Sequence, residues 1–447
     1  MTASLETLTA RLLDAAKKAG AEAADAMAVS GTSLSIDLRQ GALEQAERAE
    51  AVEIGLRVLL GGRQACVSAS DLSDRTIAAL AERAVAMARE APQDPTVGLA
   101  DPSQIARDWN LAALDLADSA PEPSAAALEQ DCRAVEAAAL SRAGISQVEA
   151  SAGYSARALH IAATNGFSGG YSRTSRSLSA VAFTGSGTQM ERDWSGESRT
   201  YQSDLPAARG IGELAADRAL ARAGATKPKT GTYPVLFDER VAASLIGHLL
   251  SAINGAAIAR GASWLRDALG QQVLPAALSV IEDPHRPRIG GSRPFDAEGL
   301  PTARRAIVEN GILTGWTLDL GTARKLGMQS TANATRGTSS PPSPSTSNID
   351  LTQGPLSREA LLRDMGTGLY VTSMIGSTIN PTTGDYSRGA AGFWVVNGEI
   401  AHPVNECTIA GNLRDMLLRL VPANDARDHL STRVPSCLID GMTLAGS

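Results

Sequence analysis

The five histidines, His160, His248, His285, His402 and His429, are the side chains of this sequence best suited to metal-assisted hydrolysis. A zinc hydrolase takes about three protein ligands and a carboxylate that works on the bound water. A helix supplies two such ligands when they share a face. No two of these histidines lie close enough to share a helical turn, and neither HExxH nor a near variant occurs. Each histidine therefore reads as structural or solvent-exposed. A serine nucleophile is the next candidate, because Gly166-Phe167-Ser168-Gly169-Gly170 fits GxSxG. That motif works on a sharp strand-to-helix elbow. Here Asn165-Gly166 is a hairpin dipeptide followed by strand-like residues, so the segment reads as a turn. Cys407 has His402 nearby, but Pro403 and Val404 between them suggest a strand, and Cys407 reads as a small buried thiol. Neither GxxxxGK[ST] nor GxGxxG between a strand and a helix occurs, so no phosphate loop is expected.

Two polar clusters remain. Arg293, Asp296 and Glu298 lie in the stretch from Ser292 to Gly299, and Asp385, Tyr386 and Arg388 in that from Thr383 to Gly389. Both stretches are dense in Gly or Pro and read as charged loops, where binding residues concentrate. Loop-stabilising ion pairs account for them equally well.

The elements that would position these groups follow from composition and periodicity. With 447 residues the chain is long enough for two or three domains. Hydrophobic residues make up 43%, charged residues 20% and aromatics 4%, so the core must rest mainly on Leu, Ile, Val and Ala. The net charge of -7 and the lack of a basic tract argue against nucleic acid as the main partner. The N-terminus lacks the pattern of a signal peptide, and no apolar run approaches the ~20 residues that span a bilayer. Cys66, Cys132, Cys407 and Cys437 are scattered without a CxxC spacing, and they read as reduced, mostly buried thiols of a cytoplasmic protein.

Leu5, Leu8, Leu12, Ala15 and Ala19 recur at helical spacing. Leu34, Ile36 and Leu38, and then Val52, Ile54, Leu56, Val58 and Leu60, alternate as strands, and Gly61-Gly62 turns the chain. Ser70 or Asp71 is expected to cap a second helix bearing Ile77, Leu80, Ala81, Ala84 and Ala88. A Pro-rich connector, 91–124, follows. A helix over about 124–142, strands around 146–164 and 176–184, and a helix over about 205–223 with Ile211, Leu214, Ala215 and Ala219 inward repeat the order. The first 225 residues thus read as two similar α+β units, about 1–91 and 124–225. From 226 to 447 the chain reads as mainly antiparallel β. Tyr233 to Phe237 forms a strand, Val241 to about Ile253 a buried helix, and Asn310-Gly311 and Asn397-Gly398 two hairpin turns. Thr335 to Asn348, rich in Ser, Pro and Thr, is expected to be a mobile loop. The fold class is α+β.

Several segments resemble the TldD/PmbA metallopeptidase family, on its PmbA (TldE) branch. They are Glu53 to Val58 with Gly61-Gly62-Arg63, Asp204-Leu205 with the helix through Ile211-Gly212 and Ala215-Ala216, Phe295 to Gly299, Gly384 to Trp394, Asn397-Gly398-Glu399, Thr408 to Leu413, and Leu438 to Thr443. The resemblance covers essentially the whole chain. It implies a TldD–TldE pair whose TldD-like subunit holds zinc through a helical HExxxH and a more C-terminal Cys. Such a pair trims or degrades unfolded peptides, as in microcin precursor maturation and antitoxin removal; an older family name is modulator of DNA gyrase. Here the matching helix keeps only the second His, as His248. Ala243 stands at the first ligand position and Ser244 at the catalytic Glu position, where neither side chain can do that work.

The resemblance therefore implies a non-catalytic subunit without zinc of its own, inactive alone and partnered by a TldD-like zinc chain. The same surface would be open to a homodimer when the chain is alone. Arg293, Asp296, Glu298, Asp385, Tyr386 and Arg388 become candidate substrate or interface contacts. The alternative is an independent gyrase-modulator-type regulator, or a hydrolase without a protease partner.

Overall fold

The computed structural model describes residues 3–447. Ser4 starts helix α1 (Leu5–Lys18) by accepting a hydrogen bond from the Thr7 amide at 3.1 Å, and Leu8, Leu12 and Ala16 bury one side of that helix. Strands β1 (Ala23–Arg39), β2 (Ala42–Leu60) and β3 (Arg63–Ala69) and helix α2 (Asp74–Glu90) complete a first unit. After the connector, with its single helical turn α3 (Leu111–Leu114), the order returns as α4 (Ala125–Leu140), β4 (Ile145–Ala163), β5 (Ser168–Thr184), β6 (Glu191–Arg199) and α5 (Ala208–Ala221). The six strands form one antiparallel sheet in the order β3-β2-β1-β4-β5-β6, joined at its centre by β1 and β4.

Side chains alternate across this sheet, as the pleat requires. Ala24, Ala26, Ala28, Ile54, Leu56 and Val58 pack beneath α1 and α2. Leu34, Ile36, Val148, Ala150 and Leu178 pack beneath α4 and α5. The intervening positions, including Asp25, Met27, Arg57 and Ile161, face the other way. Met27 and Ile161 there join Phe167, Phe295 and Ala334 in a small core shared with the C-terminal half.

The C-terminal half contains β7 (Gly231–Phe237), α6 (Glu239–Ala252), α7 (Gly255–Ala259), β8 (Val280–Glu282), β9 (Arg305–Glu309), β10 (Ile312–Leu313), α8 (Leu320–Lys325), β11 (Ala334–Thr335), β12 (Ser343–Pro344), β13 (Ile349–Leu351), α9 (Arg358–Met365), β14 (Gly368–Ile379), β15 (Asp385–Val396), β16 (Glu399–Asn412), α10 (Leu413–Leu418), β17 (Val421–Pro422), β18 (Thr432–Arg433) and β19 (Cys437–Ala445). Strands β16, β15, β14, β7 and β19 pair in that order, and β16 pairs again with β19. The sheet therefore closes into a five-stranded barrel, which leaves those strands without an open edge along that pairing. Helix α6 covers it through Leu245, Ile246 and Leu249. Asn310-Gly311 and Asn397-Gly398 turn their hairpins with φ of 49° and 82°, and 53° and 80°. Positive φ at both central positions is what a type I′ turn needs.

The α+β class agrees with the sequence reading, and several local expectations do not. Helix α2 is capped by Ser73, and Asp71 instead accepts from the Ser73 amide and hydroxyl. Leu214 is 44% exposed, because α5 approaches α4 through Gly212, where a Cβ would overlap the Val135 carbonyl. Strands β3 and β6 lie in stretches not read as strands. The C-terminal half is not uniformly antiparallel, since β7–β14 and β13–β18 run parallel. The Thr335–Asn348 segment is pinned by polar contacts rather than left loose: Thr338 and Asn348 are buried, and Asn348 donates to the Asp283 carbonyl and the Ser292 hydroxyl.

Candidate functional site

The loop from Arg293 to Leu300 turns on the Asp296 carboxylate. One oxygen accepts from the Glu298 and Leu300 amides at 2.9 and 3.0 Å, and the other from the Ala334 amide at 3.0 Å. Gly299, at φ 80°, lets the turn press against the Phe167 ring, where a Cβ would not fit. Phe295 anchors the loop, with Trp109, Phe167 and Tyr171 around it at centroid distances of 4.9, 5.0 and 5.6 Å. Edge-on aromatic contacts of this kind add to simple burial.

Glu298 accepts from the Leu320 amide at 2.8 Å, at the start of α8. Burial, with Asp296 close by, pushes the Glu298 carboxyl up to about 8, while burial raises Asp296 to about 6 against the pull of its three amide donors. The two carboxyls titrate as a pair and hold a proton near neutral pH. On the sheet face beside them, Arg57 grips Asp25 through Nε at 2.6 Å. Arg336, from the loop after β11, reaches the second oxygen of Asp25. Asp25 therefore ties the N-terminal sheet to the C-terminal half.

The second cluster is built differently. Tyr386 is buried on β15, with its hydroxyl donating to the Met374 sulfur at 3.4 Å, and burial pushes its phenol up to about 12. His248, on α6, meets the Tyr386 ring edge-on at a centroid distance of 5.9 Å. Burial, then the Arg388 charge, lowers the His248 pKa. Arg388 donates to the Gly376 carbonyl at 2.8 Å. Asp385 is exposed and held low by hydrogen bonds from Thr383 and then Asn412.

These donors do not fit a zinc ion. Ala243 has no donor atom, the Ser244 hydroxyl donates to the Val241 carbonyl at 2.7 Å, and His248 leaves a single imidazole beside a cation. Cys407 points its thiol at the Ala390 carbonyl at 3.2 Å, and burial raises it to about 11. Among the described residues no three His, Cys, Asp or Glu side chains come together as metal ligands.

Sequence reasoning singled out Arg293, Asp296 and Glu298 as one cluster, and the structure gathers them around one turn. It also brings His248 against Tyr386, which the sequence did not foretell. Ser168 opens β5 after the Asn165-Gly166 turn rather than standing on an elbow. Asp25, Arg57 and Arg336 were missed. Asp25 and Arg57 show only charge at strand positions that alternate with apolar ones, which also describes a solvated face, and Arg336 lies in a loop with no such signal.

The sequence matches the PmbA/TldA metallopeptidase family in three parts: domain 1 over residues 24–88, the central domain over 118–223 and the C-terminal domain over 230–446. It is 38% identical over 441 residues to the metalloprotease PmbA of Escherichia coli O157:H7, covering 98% of this chain and 95% of that protein. The crystal structure of a candidate modulator of DNA gyrase from Bacteroides thetaiotaomicron superposes with a TM-score of 0.92 at 28% identity, covering 99% of each chain. TldE from Thermococcus kodakarensis shares the fold, with a TM-score of 0.85 at 18% identity over 98% of this chain and all of that one.

Proposed function

The chain belongs to the PmbA/TldD metallopeptidase family, on its PmbA (TldE) branch, and from that premise we propose that it is the zinc-less, non-catalytic subunit of a heteromeric metallopeptidase. Its partner is a TldD-like chain that carries the zinc, and the pair trims or degrades unfolded peptides in the cytoplasm. One observation carries the reading: α6 offers Ala243, Ser244 and a lone His248 where a zinc peptidase needs two ligands and a base. This chain then contributes shape, stability and peptide contacts. The loops with Arg293, Asp296 and Glu298, and with Asp385, Tyr386 and Arg388, supply substrate or interface contacts. Among the described residues no helix is long and apolar enough to cross a membrane.

The test is copurification with a zinc-bearing relative, followed by metal analysis of the separated chains. Zinc confined to the relative supports the proposal. One zinc per copy of this chain, lost on His248→Ala, overturns it. The likeness to a candidate gyrase modulator favours a second reading, an independent regulator. That reading expects binding to gyrase by this chain alone.

A further inference from the structure

A cavity of about 320 Å³ lies between the outer face of the N-terminal sheet and the C-terminal half. Arg157, Arg173, Arg293 and Arg336 all line it, and Asp296 is the one acidic residue in its wall. The Asp296 oxygens are already taken by three backbone amides. Among the described residues Arg336 alone of the four meets a carboxylate, Asp25, which it shares with Arg57. Arg157 and Arg173 stand directly opposite each other on β4 and β5, an arrangement that destabilises a sheet when both carry the same charge. Arg173 spends its guanidinium on the carbonyls of Gly290 and Ser292. Among the described residues no carboxylate pairs with Arg157.

The other two arginines are more deeply enclosed. Arg336 has a fully buried side chain that meets the Asp25 carboxylate. Arg293 donates to the carbonyls of Ala334 and Ser345, but its buried Nε has no acceptor. A buried donor without a partner is costly, more so when charged. Four guanidinium groups lining one space, three of them without a carboxylate partner, fit an anion. Met27, Leu159 and Phe295 give the same cavity an apolar wall. A free inorganic ion would leave that wall unused, whereas an acidic residue in a peptide brings methylenes to it and a carboxylate to the arginines.

We propose that this cavity binds carboxylate-bearing residues of an unfolded acidic peptide. The proposal deepens, and rests on, the peptide-handling reading above. The Thr335–Asn348 segment forms one wall through Thr335, Arg336, Ser345 and Thr346, which places it beside the peptide.

The experiment is fluorescence anisotropy of the full chain with two short labelled peptides. One carries several Glu and a free C-terminus; the other has Gln at those positions and an amidated end. The acidic peptide is expected to bind more tightly, and more weakly as salt is raised. Arg157→Gln removes an exposed guanidinium without an internal pair, so the variant folds; it should weaken the acidic peptide about tenfold, with Arg157→Lys falling less. Arg336→Met should abolish the preference, with circular dichroism confirming its fold. Equal binding of both peptides, unmoved by Arg157→Gln, overturns this proposal and leaves the peptide-handling reading intact. Binding of neither peptide, even with the zinc-bearing subunit present, overturns that reading as well.

Discussion

The His248 ring lies edge-on against Tyr386, with centroids 5.9 Å apart, and its buried Nε2 has no hydrogen-bond partner. An imidazole that served as a structural hydrogen-bonder would have one, and one that served a metal would have neighbouring ligands. Neither is present among the described residues. His248→Phe keeps the edge-on contact and removes the idle nitrogen. Thermal unfolding should show an unchanged or higher midpoint, because an unpaired buried polar atom is destabilising. A loss exceeding about 1 kcal/mol would mean that Nε2 has a partner after all.

Asp25 holds Arg57 and Arg336 together at the seam between the two halves. Asp25→Ala leaves two buried guanidinium groups without their shared counter-charge. Denaturant unfolding should register a loss of about 3–5 kcal/mol, the usual consequence of removing one partner of a buried ion pair. A change below about 1 kcal/mol would show that the pair is hydrated.

The protonated carboxyl pair gives stability a definite pH dependence. Glu298 is raised from 4.5 to about 8 in the folded chain. Between those values the native state binds the proton and the unfolded chain does not. Stability is thus fully present below pH 4.5 and declines as pH rises through 8, at up to about 1.4 kcal/mol per unit. Glu298→Gln cannot ionise and should flatten this slope, making the variant the more stable protein at pH 8.5. Parallel slopes for the two proteins, measured by urea titration from pH 5 to 8.5, would place the ionisation elsewhere.

Gly55 on β2 lies against the backbone of Thr338, and a Cβ there would overlap the Thr338 carbonyl. Gly55→Ala should therefore cost about 1–3 kcal/mol through overpacking and should loosen the Thr335–Asn348 segment. Limited proteolysis checks the second effect: cutting within that segment should speed up in the variant. Unchanged cutting would mean that the polar anchors at Asn348 hold the segment alone.

Much of this architecture was legible because it depends on local chemistry. The spacing of Leu8 and Leu12, the alternation from Val52 to Leu60 and the two Asn-Gly turns each fix an element without help from distant residues. Strand β6 was not legible, because Glu191 to Arg199 is polar and is held as a strand by pairing with β5. Leu214 misled because helical periodicity says which residues share a face, not that Gly212 lets two helices close in beside it. The site was half legible. Arg293, Asp296 and Glu298 sit in one Gly- and Pro-rich stretch, so their proximity was written in the sequence. Arg57 and Arg336 are brought to Asp25 across 32 and 311 positions by folding alone. Alternation shows that Asp25 and Arg57 face away from the helices; it does not show that another domain covers that face.

The most direct measurement mixes this chain with a TldD-like zinc-bearing chain and follows cleavage of an unfolded peptide, with each chain also assayed alone and with a metal chelator. The account predicts no cleavage by this chain alone, weak cleavage by the zinc subunit alone, and strong, chelator-sensitive cleavage by the two together. Full cleavage by the zinc subunit without this chain, or robust chelator-insensitive cleavage by this chain alone, would contradict it.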